Sequence, residues 1–332
     1  MNISTPYLPK LSTLATLFLL LLNTACSSQA VSNPNQETTQ ITSTLRLGII
    51  STTRSQVPTG PAGWAIHRNK FLPELEKVGI TDVKISSFPN GPNLNEALVS
   101  GSIDVGIYGD TPALVARSQE IPTRLISQEQ VGMNAWLLVK ENGPRTVADL
   151  KGQKVATARG SYMHRYLMGL LQKHNVADQV SVVHLLTSDA EAALERGDVA
   201  AIVASVGAGP LLQKKGYVAI DEARNHPDLP GTSVAVATET FLTKHPDLPQ
   251  KWNRIKQAAV KDIQANTEAY YQFHAEVSGY PLDVVKISYP IQQFPQEPVP
   301  AQGKQLLEGT KQFLVSQNLA KTDFQLTDWI VP

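Results

Sequence analysis

The chain has 332 residues, more than one typical domain core holds and enough for two. Lys and Arg together number 29, and so do Asp and Glu, so the formal net charge is zero. Because proteins that bind nucleic acid normally carry a basic excess, this balance argues against that class. It leaves small-ligand binding open, since a ligand needs only local charge.

The first 25 residues are typical of a signal peptide. Lys10 supplies a positive charge, and the apolar run over 14–22 is too short to span a bilayer. Cys26, the only cysteine, follows directly, and the arrangement resembles a bacterial lipoprotein signal in which Cys26 is acylated. Asn23 departs from the usual Leu of that signal, and a plain secretory signal with an incidental cysteine is the alternative. When Cys26 is acylated the mature chain has no other thiol, which excludes disulfides, thiolate metal sites and cysteine catalysis.

Residues 26–43 are rich in Ser, Thr, Gln and Asn and predict a disordered tether, because they cannot bury a core. Beyond them, apolar segments alternate with amphipathic ones. Strands are predicted over 44–50, 83–85, 103–108, 154–158, 180–185 and 199–204. Helices are predicted over 64–75, 93–100, 111–116, 162–173, 189–196, 248–276 and 302–317. The alternation predicts βαβ units and largely parallel sheets.

The pattern of helix, glycine stop, strand and polar loop occurs twice, over 97–111 and again over 193–207. Such an internal repeat is typical of a protein with two similar lobes. The extended segments 134–139 and 232–237 flank the second copy, and we interpret them as the crossings between lobes. The first lobe then comprises 44–136 and 237–332, and the second lobe comprises 137–236.

Four segments, 45–48, 98–113, 147–161 and 190–203, carry a family resemblance in register. Together they resemble the periplasmic aliphatic-sulfonate, taurine and nitrate family of ABC-transporter binding proteins. The resemblance implies an α/β, two-lobed periplasmic-binding-protein-like fold (type II), with a ligand cleft between lobes joined by two crossing strands. One departure is the loop 205–210, which is glycine-rich where the family often has a Trp-Asp-Pro-like sequence.

The same resemblance implies what the protein does and where. It implies a monomeric solute-binding lipoprotein that delivers a small anionic solute, such as an aliphatic sulfonate or taurine, to an ABC permease and ATPase. The sequence itself shows no reactive array and no His spacing typical of a metal site, so we expect no enzymatic activity, no cofactor and no metal. The expected location is the periplasm or the outer face of the cytoplasmic membrane, held by the lipid on Cys26.

Ligands of open α/β sheets bind beyond the carboxyl ends of strands, where helix N-termini present unpaired N–H groups. Hydroxyl- and glycine-rich loops follow several predicted strands at this kind of position. The candidate ligand-binding residues are Thr53, Arg54, Ser55, Gln56, Gly109, Asp110, Thr111, Gly160, Ser161, Tyr162, His164, Ser205, Val206, Gly207, Thr232 and Ser233.

Several of these residues have a second interpretation. Thr111 and Ser161 could serve only as helix N-caps, and Arg54 could be a solvated loop charge. Asp110 does not suit a purely anionic ligand; it could pair with a ligand ammonium or with an arginine, or cap the following helix. Two other functions also stay open: a pyrimidine-precursor binding protein or enzyme resembling those of thiamine synthesis, and a ligand-sensing lipoprotein.

Overall fold

The computed structural model of the protein describes residues 43–51 and 56–331. The predicted signal peptide, Cys26 and nearly all of the predicted tether lie outside the described residues. In the described part of the chain the strands are β1 (Ser43–Ile50), β2 (Ile80–Phe88), β3 (Val105–Gly109), β4 (Thr123–Met133), β5 (Trp136–Val139), β6 (Lys154–Thr157), β7 (Ser181–His184), β8 (Ala201–Ala204), β9 (Val218–Glu222) and β10 (Gly231–Thr238).

Helices alternate with these strands and then fill the C-terminal third. They are α1 (Gly60–His67), α2 (Leu72–Glu76), α3 (Gly91–Val99), α4 (Asp110–Ser118), α5 (Tyr162–Lys173), α6 (Thr187–Arg196), α7 (Ala208–Lys214), α8 (Glu239–Lys244), α9 (Leu248–Ala265), α10 (Thr267–Ser278), α11 (Leu282–Ser288), α12 (Ala301–Ser316) and α13 (Leu326–Trp329). The single helix predicted over 64–75 is two helices, because Asn69 adopts a φ of 53° between them.

The first sheet has the strand order β2-β1-β3-β10-β4. Strand β1 pairs in parallel with β2 and β3, whereas β10 runs antiparallel to both β3 and β4. The second sheet repeats the plan with the order β7-β6-β8-β5-β9. There β6 is parallel to β7 and β8, and β5 is antiparallel to β8 and β9. The predicted βαβ units are therefore present in both sheets.

The chain passes between the sheets twice. It leaves the first sheet after β4, crosses at Asn134 and Ala135, and enters the second sheet as β5. It returns over 223–230, between β9 and β10. The first crossing was predicted over 134–139, but residues 136–139 already form β5. The prediction of a return crossing over 232–237 is wrong, since these residues lie inside β10. Their continuous apolar run is the signature of a central strand, and Val234 to Ala237 are fully buried.

The C-terminal helices pack onto the first sheet. Helix α9 lies against α1 and β4, and α12 lies against α4. Two buried hydrogen bonds attach α9 to β4. Trp252 Nε1 donates to Glu129 Oε1 at 2.8 Å, and Lys256 Nζ donates to the Gln128 carbonyl at 3.0 Å. Helix α11, unlike α9 and α12, packs against a helix of the second sheet: it contacts α7 as well as α10. The C-terminal segment thereby touches both sheets.

Candidate ligand site

Two helix starts that belong to different sheets meet at the start of β10: the Thr232 backbone nitrogen donates to Asp110 Oδ2 at 3.2 Å, and a Cβ on the neighbouring Gly231 would lie 2.5 Å from the Tyr162 ring. Helix α4 begins at Asp110, directly after β3 of the first sheet, and α5 begins at Tyr162, shortly after β6 of the second. Burial raises the pKa of the Tyr162 hydroxyl well above its ordinary value, and the charge of Asp110 raises it further. Each helix begins at the carboxyl end of a strand, the position where α/β proteins bind ligands.

The Asp110 carboxylate is completely buried and accepts hydrogen bonds from separate parts of the chain. Thr111 Oγ1 donates to Oδ1 at 2.9 Å. The backbone nitrogen and Oγ1 of Thr232 donate to Oδ2 at 3.2 and 3.1 Å. Thr310 Oγ1, which also donates to the Leu306 carbonyl, lies 3.3 Å from Oδ2. The carboxylate therefore joins α4, β10 and α12, and this bonding is its observed role.

Helix α4 is capped differently from the prediction. Its N-cap is Gly109, and Thr111 lies inside the first turn with its hydroxyl bonded to Asp110. Burial raises the pKa of Asp110, while the charge of Arg165 and the hydroxyls of Thr111 and Thr232 lower it in part. The acidic residue in the first turn also complements the positive end of the helix dipole.

Arg165 of α5 supplies the opposing charge. Its side chain is buried, Nη1 donates to the Pro230 carbonyl at 3.2 Å, and Nη2 donates to the Asp228 carbonyl. Burial lowers the pKa of Arg165, and the charges of Asp110 and Asp228 raise it. The guanidinium thus binds the return crossing, because it donates to two backbone carbonyls of that segment rather than to Asp110.

Helix α5 has the boundaries predicted from the sequence, and Ser161 is confirmed as its N-cap. Ser161 Oγ accepts a hydrogen bond from the His164 backbone nitrogen at 3.4 Å and donates to the Ala158 carbonyl at 2.6 Å. This cap uses one of the four N–H groups that a helix start leaves without an intrahelical partner. The remaining amides of the first turn stay available in principle to an oxyanion.

The Tyr162 hydroxyl joins the first crossing to the loop 205–207 of the second sheet. It donates to the Asn134 carbonyl at 3.2 Å and accepts from the Val206 backbone nitrogen at 3.0 Å. Asn134 belongs to the first crossing, and Val206 to the loop between β8 and α7. The hydroxyl consequently fixes this loop against the crossing.

The loop 205–207 makes a second contact, with the C-terminal segment. The Gly207 backbone nitrogen donates to Ser288 Oγ at 2.9 Å. Gly207 has a φ of 78°, and a Cβ placed there would lie 2.3 Å from the Tyr280 ring. Two backbone amides of the candidate ligand loop, those of Val206 and Gly207, are therefore paired with side chains of this chain.

His164 lies one turn into α5 and is 8% exposed. Its ring packs edge-on against Phe313, with ring centroids 5.8 Å apart. Burial lowers the pKa of His164 to about 4, and the nearby Arg159 and His184 contribute in the same direction. Within the described residues Nδ1 has no hydrogen-bond partner. The imidazole is neutral at physiological pH.

The remaining candidates fall into two groups. Thr53, Arg54 and Ser55 lie outside the described residues, and Gln56, which follows them, is exposed. Gly160 has a φ of 74° before the Ser161 cap, and Ser233 Oγ donates to the Tyr108 carbonyl at 3.3 Å. Ser205 is half-buried in the loop before α7. Ligand contact by all these residues stays a prediction.

Two tyrosines of the C-terminal segment, which were not predicted, join the site. The Tyr280 ring covers Gly207, and Tyr289 packs against the cluster that contains Val206, whose backbone nitrogen donates to the Tyr162 hydroxyl. The sequence around Tyr280 and Tyr289 carries no local motif that would have identified them. Only the packing of α11 on α7 brings them to the loop 205–207.

The rest of the described chain was searched for other sites. A depression lined by Lys140, Lys154 and Asp198 lies at the amino end of β8, the edge opposite the helix starts. Across the described residues there is no group of three or more His, Cys, Asp or Glu side chains placed to hold a metal ion. Searching the same residues finds no helix both long and apolar enough to cross a membrane.

Comparison with solved structures identifies the fold. The periplasmic aliphatic sulphonate binding protein SsuA from Escherichia coli has a TM-score of 0.70 at 24% identity, over 87% of this chain and 97% of that one. The desulfurization enzyme DSZB has a TM-score of 0.68 at 18% identity, over 87% of this chain and 96% of that one. The protein thus has the predicted two-lobed periplasmic-binding-protein fold, which an enzyme shares.

The chain belongs to the NMT1/THI5-like family, which matches residues 76–269. A protein of Escherichia coli (strain K12) that is named as an aliphatic sulfonates-binding protein is 39% identical over 115 residues. The match covers 34% of this chain and only 36% of that relative. The taurine-binding periplasmic protein of Escherichia coli (strain K12) is 28% identical over 226 residues, 67% of this chain and 69% of the relative. These relatives are named as binding proteins, in agreement with the resemblance found in the sequence.

Proposed function

We propose that the protein is the extracytoplasmic solute-binding component of an ABC importer and that it binds an organosulfonate between its two sheets. The observation that carries the proposal is the pair of helix starts, α4 from the first sheet and α5 from the second, which both contact the start of β10, at Thr232 and Gly231. The relatives named for sulfonates and taurine supply the ligand class.

The helix starts suit an anion for a physical reason. Unpaired N–H groups and the positive end of the dipole favour negative charge, each by roughly 0.3–1 kcal/mol at an accessible site. A sulfonate accepts several hydrogen bonds at once, so it can use amides from both helices and hydroxyls beside them. Because Arg165 Nη1 and Nη2 donate to backbone carbonyls, the anion is held mainly by the dipoles of the helix starts, which keeps its release to the permease feasible.

The lobes proposed for transport are built on the two sheets and divide at the crossings, 134–135 and 223–230, so that β10 belongs to the first lobe and not to the second lobe predicted over 137–236. Closure of the cleft between these lobes would bury the solute. Lipid attachment at Cys26, with residues 27–43 as tether, would hold this two-lobed body beside its permease and ATPase. No chemical step is proposed: the protein binds and delivers the solute.

The test is calorimetric titration of the mature chain with 1-propanesulfonate, taurine and butyrate, alongside a thermal-shift series. Butyrate is the matched control, because it replaces the sulfonate by a carboxylate on a similar carbon chain. At about 100 times its Kd, a true ligand stabilises the native state by about 2.7 kcal/mol. We expect stabilisation by at least one sulfonate and not by butyrate. Binding of a pyrimidine precursor with no response to sulfonates would overturn the proposal.

A further inference from the structure

We propose that residues 279–289, which contain α11 and which we call the clasp, have to leave α7 before the cleft between the lobes can admit or release a solute. The contacts between the clasp and α7 then set the rate of solute exchange. This gating rests on the function just proposed, because the cleft that opens is the one that holds the solute.

The clasp is attached to the first lobe through α10. Val285 is fully buried in a core cluster of that lobe, together with Trp64 and Tyr270. The ring of Tyr289 packs on His274 of α10, with ring centroids 4.1 Å apart. Removing the clasp from α10 would expose these apolar and aromatic groups to water, which is unfavourable.

The chain does not connect the clasp to the second lobe. Within the described residues the chain passes between the sheets only at 134–135 and 223–230, and the clasp follows β10 of the first sheet. Helix α11 nevertheless contacts α7, which follows β8 of the second sheet. Because no covalent bond holds this contact, it can separate when the lobes rotate about the crossings.

The contacts of the clasp with the second lobe extend along the whole of α7. At the start of α7 the Gly207 backbone nitrogen donates to Ser288 Oγ at 2.9 Å, and the Tyr280 ring covers Gly207. At the last residue of α7, Lys214 forms an ion pair with Asp283, and both side chains are about half exposed. Water replaces the partner of each polar group when the helices separate, and an exposed ion pair contributes little. The clasp is therefore released more easily from α7 than from α10.

The end of α7 lies further from the first crossing than its start. The start is fixed near the crossing, because the Val206 backbone nitrogen donates to the Tyr162 hydroxyl, which donates to the Asn134 carbonyl. The seven residues of α7 place Lys214 about 10 Å from that point. Rotation about the crossing therefore displaces Lys214 from Asp283 more than it displaces the start of the helix. A link between these two positions should keep the cleft closed.

Chemical links at two matched positions test the clasp. Cys26→Ser removes the only native thiol. In that chain, Lys214→Cys with Asp283→Cys places one thiol on α7 and one on α11, and a short bismaleimide joins them. Lys286→Cys with Glu268→Cys is the control, because it joins the same helix to α10 at another exposed ion pair, 2.7 Å long.

Stopped-flow tryptophan fluorescence measures the association and dissociation rates of 1-propanesulfonate in linked and unlinked chains. The link between 214 and 283 is expected to slow both rates at least about tenfold, and the link between 268 and 286 to leave both within about twofold. Unchanged rates with the first link, or equal slowing by both links, overturn the clasp. If no sulfonate binds the unlinked chain, the proposed function fails instead.

A second measurement needs no solute. Amide hydrogen exchange at Gly207, whose N–H is bonded to Ser288, reports release of the clasp directly. The link between 214 and 283 is expected to slow this exchange, and the control link to leave it unchanged. Equal exchange in both linked chains would overturn the clasp even if the proposed function failed.

A charge reversal weakens the clasp without a link. Lys214→Glu places two carboxylates opposite each other, so dissociation of 1-propanesulfonate should accelerate about two- to fivefold, the range set by an exposed ion pair. Lys214→Glu combined with Asp283→Lys restores opposite charges and should restore the wild-type rate. A dissociation rate that does not respond to Lys214→Glu, or that stays accelerated in the double variant, contradicts the proposal.

Discussion

Replacing Gly207 by alanine tests the contact between the second sheet and the C-terminal helices. Gly207 has φ 78° and ψ −58°, a conformation that residues with a Cβ rarely adopt. An added Cβ would also lie 2.3 Å from Cε2 and 2.6 Å from Cζ of Tyr280, so the ring has to move. Two separate penalties therefore act at one position.

The size of each penalty follows from the geometry. A positive φ in a residue with a Cβ costs about 1–2 kcal/mol, and displacing a packed ring costs about 1–3 kcal/mol. We expect Gly207→Ala to lower the free energy of unfolding by about 3 kcal/mol in total. Gly197→Ala is the matched control: its φ is 80°, its ψ is 15°, and nothing lies within 4 Å of an added Cβ. It should lose only about 1–2 kcal/mol.

Urea unfolding of both variants, and of Tyr280→Ala alone and combined with Gly207→Ala, measures the terms separately. Without the ring, Gly207→Ala should retain only its backbone penalty, so the coupling energy in the double-mutant cycle should equal the ring-displacement term, about 1–3 kcal/mol. If Gly207→Ala and Gly197→Ala are equally destabilising and the coupling is near zero, Tyr280 does not pack on the loop as described.

The remaining predictions concern pH, capping, closure and anchoring. His274 is 1% exposed, and burial lowers its pKa from 6.5 to about 3. Below pH 6.5 the unfolded chain protonates His274, whereas the folded chain protonates it only near pH 3. The free energy of unfolding therefore falls as the pH drops from 6.5 to 3, by on the order of 5 kcal/mol. Urea unfolding of His274→Phe between pH 7 and pH 4 should show that the free energy of unfolding depends less steeply on pH, by nearly one proton taken up on unfolding. An unchanged pH dependence contradicts the assignment. Ser161→Ala should lower stability by about 1 kcal/mol through the lost N-cap and weaken sulfonate binding in calorimetry, and full stability with full affinity would exclude both roles. Saturating sulfonate should reduce the radius of gyration in small-angle scattering, and an unchanged radius would argue against lobe closure. Cys26→Ser should release the protein from membranes in fractionation, and equal partition of wild type and variant would rule out the lipid anchor.

The parts of the fold that the sequence predicted correctly depend on local signals. Helix α5 has the predicted bounds because Ser161 caps it and its apolar face has helical spacing. Gly197 ends α6 as expected, with φ 80° at the C-cap. The start of α4 differs because Asp110 bonds to Thr232, 122 residues further along the chain, a partner that no local pattern indicates.

The site was harder to predict than the fold for the same reason. The loop 205–207 was expected to offer free amides to a ligand, since it is rich in glycine and precedes a helix. Two of those amides are occupied by Tyr162 and by Ser288, which is 81 residues away from Gly207. Contacts over such distances depend on how α11 packs against α7, and composition and spacing do not encode that packing.

The most direct test of the account is amide hydrogen exchange of the mature chain with and without saturating 1-propanesulfonate, with saturation established by calorimetry. Binding between the two helix starts should slow exchange in 109–116 and in 158–166 at once, because the solute accepts hydrogen bonds from both sheets. Protection in both segments is the predicted result. Unchanged exchange in both segments at saturation would place the ligand elsewhere and contradict the central claim.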